Sequence, residues 1–214
     1  KDRYYLYKSI WNRDEATLHI LPHWNWKGRE GEVTPVFVYT SYPSAELFIN
    51  GKSQGKRTKN NNSLTERYRL MWMDVRYEPG EVKVVAYDEN GNKTEEKMVC
   101  TAGEPHRIEL IPDRHVLSAD GKDLAYVNVR VVDKDGNLCP LDNRMIRFTV
   151  SGAGKYRASA NGDPTCLEMF HLPQMQLFNG QLTTIVQAGE IGGTLTLEAK
   201  SKGVQSSKIS IRVK

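Results

Sequence analysis

Apolar and polar residues alternate with a period of two from Thr17 to the end of the chain, the pattern of strands with one buried face. It predicts strands over residues 17–21, 33–40, 45–50, 67–75, 81–88 and 93–101. A second run follows over residues 106–111, 124–133, 145–151, 155–160, 181–188, 194–201 and 207–213. The alternation is clearest at Val127/Val129/Val131, Ile146/Phe148/Val150 and Ile209/Ile211/Val213. Val36, Val38 and Thr40 are expected on one side of their strand, with Phe37 and Tyr39 on the other. Asn50-Gly51 signals a type I′ hairpin, which needs positive φ at both central positions. Pro79-Gly80 and Asn90-Gly91 mark two further turns. No helix is expected between strands, which excludes a parallel α/β fold.

Residues 1–11 break this period. Tyr4, Tyr7 and Trp11 fall at i, i+3 and i+7, with Leu6 and Ile10 beside them and Asp2 placed to cap a helix. This aromatic helix has no earlier element to pack on. It reads as the last helix of another domain, with docking on the following sandwich as the plainer alternative. Ala102-Gly103-Glu104-Pro105 is the best linker. The expected organisation is all-β: a helical stub over 1–12, then two tandem immunoglobulin-like β-sandwiches over 13–103 and 104–214. Two all-β modules suit a chain of 214 residues.

Charge and cysteine usage narrow the classes. The net charge is +4, from 30 basic and 26 acidic residues, and the charges are scattered. The densest basic run, residues 52–59, lies among Gly, Ser, Gln and Asn and reads as a solvated hairpin, so no nucleic-acid face is expected. No apolar run is long enough to span a membrane, and the first residues carry no signal peptide. Cys100, Cys139 and Cys166 form no CxxC pair, so they suggest buried thiols or at most one disulfide rather than a zinc or redox site.

The stretch 18–26, Leu-His-Ile-Leu-Pro-His-Trp-Asn-Trp, holds two of the four tryptophans and two of the five histidines. Trp24 and Trp26 share a side if the strand continues, which would make a carbohydrate-binding platform, with Tyr42 a further candidate. The alternative is a packing seam. His19 and His23 cannot share a metal on an extended strand, where four residues span about 13 Å. Asp133-Lys134-Asp135-Gly136-Asn137 fails the calcium-loop pattern, since Gly136 stands fourth and Arg144 stands twelfth, and so reads as a hairpin turn. The echo between residues 85–92 and 131–137 reflects the same turn chemistry. The long segment 161–179 carries Asp163, Glu168 and His171 and three apolar anchors, Leu167, Met169 and Phe170. Nothing around these carboxylates supplies the enclosed, rigid site that acid–base chemistry requires. No catalytic residue, metal ligand or cofactor is assigned.

Several motifs together resemble a known family. Leu18-His19-Ile20-Leu21-Pro22-His23-Trp24-Asn25-Trp26, then Val36-Phe37-Val38-Tyr39-Thr40, then Ala45-Glu46-Leu47-Phe48-Ile49-Asn50-Gly51-Lys52-Ser53 resemble the β-sandwich after the catalytic barrel in bacterial β-galactosidases of glycoside hydrolase family 2. Leu117-Ser118-Ala119-Asp120-Gly121-Lys122-Asp123-Leu124, the turn at Asp133, Asn161-Gly162-Asp163-Pro164 and Phe178-Asn179-Gly180 resemble the terminal domain of those enzymes. Lys1-Asp2-Arg3-Tyr4-Tyr5-Leu6-Tyr7 resembles their last barrel helix.

The resemblance implies a parent that hydrolyses terminal β-galactosides with retention, through two glutamates on a barrel that this sequence lacks. It implies accessory domains that buttress that barrel and are inert alone. It also implies a periplasmic or extracellular setting and possible self-association through the exposed seam. The rival readings are a carbohydrate-binding module using Trp24 and Trp26 and a cell-surface array of sandwich domains.

Overall fold

The computed structural model describes residues 2–214; Lys1, where the sequence would start the helix, lies outside them. Two compact units divide at Thr101/Ala102. Ala102 and Gly103, expected in the linker, fall in the second unit. Gly103 donates its N–H to Asp133 Oδ2 at 2.8 Å and accepts from the Cys139 thiol at 3.8 Å.

The first unit opens with helix α1 (Asp2–Trp11) and continues as seven strands. These are β1 (Leu18–Leu21), β2 (Val36–Thr40), β3 (Ser44–Ile49), β4 (Lys52–Thr58), β5 (Leu70–Trp72), β6 (Glu81–Tyr87) and β7 (Lys93–Cys100). They form two antiparallel sheets, β1-β2-β5 and β4-β3-β6-β7. Val36, Val38, Leu47, Val84 and Trp72 are buried between the sheets. Asn50 and Gly51 have φ of 47° and 78°, as a type I′ turn requires, and Asn50 accepts the Glu81 N–H through Oδ1 at 2.8 Å.

The second unit contains β8 (Arg107–Pro112), β9 (Val116–Leu117), β10 (Leu124–Val132), β11 (Met145–Gly152), β12 (Gly154–Ala160), β13 (Gln174–Gln176), β14 (Gln181–Ala188), β15 (Gly193–Lys200) and β16 (Ser207–Val213). Its sheets run β12-β14-β10-β8 and β13-β11-β15-β16-β9, antiparallel except for the short β9–β16 pair and a lone parallel bridge between Arg107 and Gln205. A separate core fills this sandwich, with Val127, Val129, Ile146, Met175, Leu195 and Ile211 fully enclosed. Two tandem β-sandwiches with one short helix are therefore what the chain forms.

The pattern missed three strands for physical reasons. β4 is exposed along nearly its whole length, so it has no apolar face to display. Its lysines and arginine lie on a sheet edge, where charge discourages pairing with another chain. β9 and β13 are too short to alternate. The thiols differ from the expectation in burial: none of the three is in a disulfide, but only Cys139 is buried. Burial, reinforced by Asp133 and Asp142, pushes the Cys139 thiol up to about 11, so it stays protonated at neutral pH.

Candidate functional site

The stretch 18–26 does not stay extended. β1 ends at Leu21, before Pro22, which has no N–H to continue the ladder. Trp24 then turns into the core of its unit at 1% exposure. Its indole N–H donates to the Glu78 carbonyl at 2.9 Å, and its ring meets Tyr77 edge-on at 5.2 Å. Its own carbonyl accepts the Thr101 hydroxyl at 2.6 Å. A ring so enclosed presents no face to a sugar.

Trp26 is only half-buried. His23 stacks on it at 4.3 Å, and the Arg29 guanidinium lies 5.2 Å from its centre while pairing with Glu32 at 2.7 Å. The Trp26 indole N–H is buried without a partner among the described residues. Burial lowers the His23 pKa against a smaller upward pull from Asp2. Tyr42 is partly buried against the same core. The two indoles therefore do not form a joint platform.

His19 faces the helix instead. Its Nε2 lies 2.8 Å from Asp2 Oδ1, and Tyr5 stacks on its ring at 3.8 Å. The hydrogen bond to His19 holds the Asp2 carboxyl below its usual range, against the opposing effect of burial. The helix thus docks through Tyr5, Leu6 and the buried Ser9. The aromatic stripe faces away: Tyr4 and Tyr7 are exposed, Trp11 is 72% exposed, and Tyr7 stacks on Trp11 at 4.8 Å. Replacing Tyr5 with alanine is expected to remove the stack on His19, worth about 1 kcal/mol. Hydrogen exchange should then speed up across α1 while β2 and β3 keep their protection.

The remaining candidates serve turns. Asp163 accepts from the Thr165 N–H and hydroxyl at 2.9 and 2.8 Å, and Glu168 accepts the Gln176 N–H at 2.9 Å. His171 is exposed. Leu167, Met169 and Phe170 do not anchor their segment: they point outward, and the anchors are Met175 and Leu177, both buried. No group of three or more His, Cys, Asp or Glu side chains among the described residues could hold a metal ion. Among the described residues no helix is long and apolar enough to cross a membrane.

Comparison with known proteins assigns the chain. Residues 108–210 match the family described as glycoside hydrolase family 2 C-terminal domain 5, and residues 31–95 match a domain of unknown function, DUF4982. The chain is 41% identical over 211 residues to the beta-galactosidase BoGH2A of Bacteroides ovatus, covering 99% of this chain and 24% of that protein. It is 29% identical over 215 residues to a beta-glucuronidase of Formosa agariphila, covering 99% of this chain and 21% of that protein. The crystal structure of a beta-glycosidase from Bacteroides vulgatus superposes with a TM-score of 0.89 at 30% identity, over 100% of this chain and 26% of that one. The chain thus spans about a quarter of the length of the relatives it matches. It belongs to the C-terminal accessory region of glycoside hydrolase family 2.

Proposed function

We propose that this chain buttresses the catalytic barrel of a larger glycosidase through the aromatic face of α1, and that residues 1–12 are the end of that barrel's last helix. The observation that carries this reading is the orientation of the helix. Tyr5 and Ser9 fasten one side to the sandwich, while Tyr4, Tyr7 and Trp11 remain uncovered on the other. An exposed aromatic stripe of this kind marks an interaction surface. Relatives named as a beta-galactosidase and a beta-glucuronidase support a parent that hydrolyses β-linked terminal sugars, galactosides above all. These relatives are bacterial, and the parent is read as periplasmic or extracellular. The two sandwiches are read as separate accessory domains of that parent, with boundaries near 103/104. The seam, when uncovered, is the surface through which the isolated chain self-associates.

The test uses Tyr7→Ser and Trp11→Ser in this chain and in the full-length parent enzyme. In this chain the pair contact each other on the surface, so the unfolding temperature should stay within about 1–2 °C. In the parent, the loss of a buried aromatic pair should lower it by several degrees, roughly 2 °C or more per kcal/mol. Equal behaviour of parent and variant would remove the seam.

A second reading, glycan contact, rests on Trp26, the half-exposed ring of the pair, with Trp24 holding the stretch in place. Titration of galactosides and plant oligosaccharides against tryptophan fluorescence separates the two readings. A saturable change lost in Trp26→Ala supports binding, and a flat titration at millimolar sugar rejects it.

A further inference from the structure

We infer that the loop over residues 163–173 is a preformed apolar knob that seats in the remainder of the parent enzyme, as a second contact separate from α1. This rests on the reading of the chain as an accessory region. Leu167 is 97% exposed, and Met169, Phe170 and Leu172 are 62%, 59% and 41% exposed. Four large apolar side chains within six residues face solvent, whereas Met175 and Leu177 just beyond them are buried.

The backbone beneath them is not loose. The Ser159 N–H donates to the Phe170 carbonyl at 2.8 Å, and the Tyr156 hydroxyl donates to the Leu172 carbonyl at 2.7 Å. The Leu172 N–H closes a turn on the Met169 carbonyl at 3.2 Å. Glu168 pins the loop to β13 through the Gln176 N–H at 2.9 Å. A fixed backbone that presents bare apolar tips has already met the ordering cost of binding.

The size and the composition of the patch select the occupant. The four side chains expose on the order of 500 Å², the scale of a functional patch on a monomer. That is below the roughly 800 Å² per partner of a free-standing specific interface. It suffices where a tether supplies the rest, because a covalently linked neighbour stands at roughly millimolar effective concentration. The relatives supply such a neighbour, since about three quarters of their length lies outside the part matched here. The composition also fits a protein surface rather than a sugar. Asp163 and Glu168 are committed to Thr165, Gln176 and Cys166, so beside four apolar tips the exposed His171 is the polar side chain left to read a hydroxyl, too few for a sugar.

The test compares peroxide oxidation of Met169 in this chain and in the full-length parent, with the Leu167→Asp/Phe170→Asp variant alongside. In this chain Met169 should oxidise at the rate of an exposed methionine, and the double variant should unfold at the same temperature as the starting protein. In the parent, oxidation should slow by about tenfold or more, and the variant should restore the fast rate and lower the unfolding temperature. Equal oxidation in both proteins overturns the inference. Protection that disappears on dilution also overturns it, by assigning the knob to a second copy. If Trp11 is shielded in the parent and Met169 is not, the α1 seam stands and the knob falls. The reverse pattern keeps the knob and removes the seam.

Discussion

Replacing Trp24 with alanine is expected to cost the first unit about 4 kcal/mol. The ring is fully enclosed among the residues of its core and meets Tyr77 edge-on. Its removal leaves a cavity that a rigid sandwich closes only in part. The same substitution strips the Glu78 carbonyl of its indole donor. Denaturant titration should show the first unit unfolding early, with the second unit's transition unmoved because its core is separate. Trp26→Ala is expected to cost less, since that ring is only partly buried, packing against the edge of the core and stacking on His23. A Trp24→Ala protein as stable as the parent sequence would mean that the stretch packs differently.

Asp133→Ala is expected to cost the second unit on the order of 3 kcal/mol. At 3% exposure, Asp133 accepts the N–H groups of Asp135 and Asn137, the Asn137 side-chain amide and, from the start of the unit, the N–H of Gly103. Alanine leaves these donors, which lie in a part-buried turn, without an acceptor. The chain carries its own control. Asp88 makes the same turn, accepting from Asn90, Asn92 and the Asn92 amide, but on the surface and without a Gly103 equivalent. Asp88→Ala should therefore be the milder change of the two.

Burial works to raise the Asp133 carboxyl, but its N–H donors outweigh this and hold it below the usual carboxylate range. A carboxyl with a depressed folded pKa stabilises above its unfolded value, about 3.9, and that contribution is lost as pH falls through the folded pKa. Acid titration should show the second unit losing stability below about pH 4. The Asp133→Ala protein should show a flatter acid limb.

Where one strand face is buried, the alternation of residues was enough to locate the strand. β14 and β16 run over the expected residues, and Val36, Val38 and Thr40 are buried together. The Asn50-Gly51 turn and the paired Asp turns were equally legible, because local backbone chemistry determines them. Orientation was harder to read. Trp24 and Trp26 would share a side only on a continuing strand, and β1 stops before Pro22. The stripe of Tyr4, Tyr7 and Trp11 was visible, but helical periodicity alone could not show that Tyr5 would take the inward side, because that depends on His19 in β1. In the segment 161–179, hydrophobicity suggested anchors where the structure has exposed tips. A residue meant for an external partner has the same composition as one meant for the core.

In the proposed assembly α1 presents its aromatic stripe to a catalytic body. The most direct test is hydroxyl-radical footprinting of Tyr4, Tyr7 and Trp11 in this chain and in the full-length parent enzyme. The expected result is rapid modification of all three in the chain diluted until it is monomeric and strong protection of all three in the parent, with the buried Trp24 protected in both. Equal modification of Tyr7 and Trp11 in the two proteins would mean that α1 does not face the rest of the enzyme.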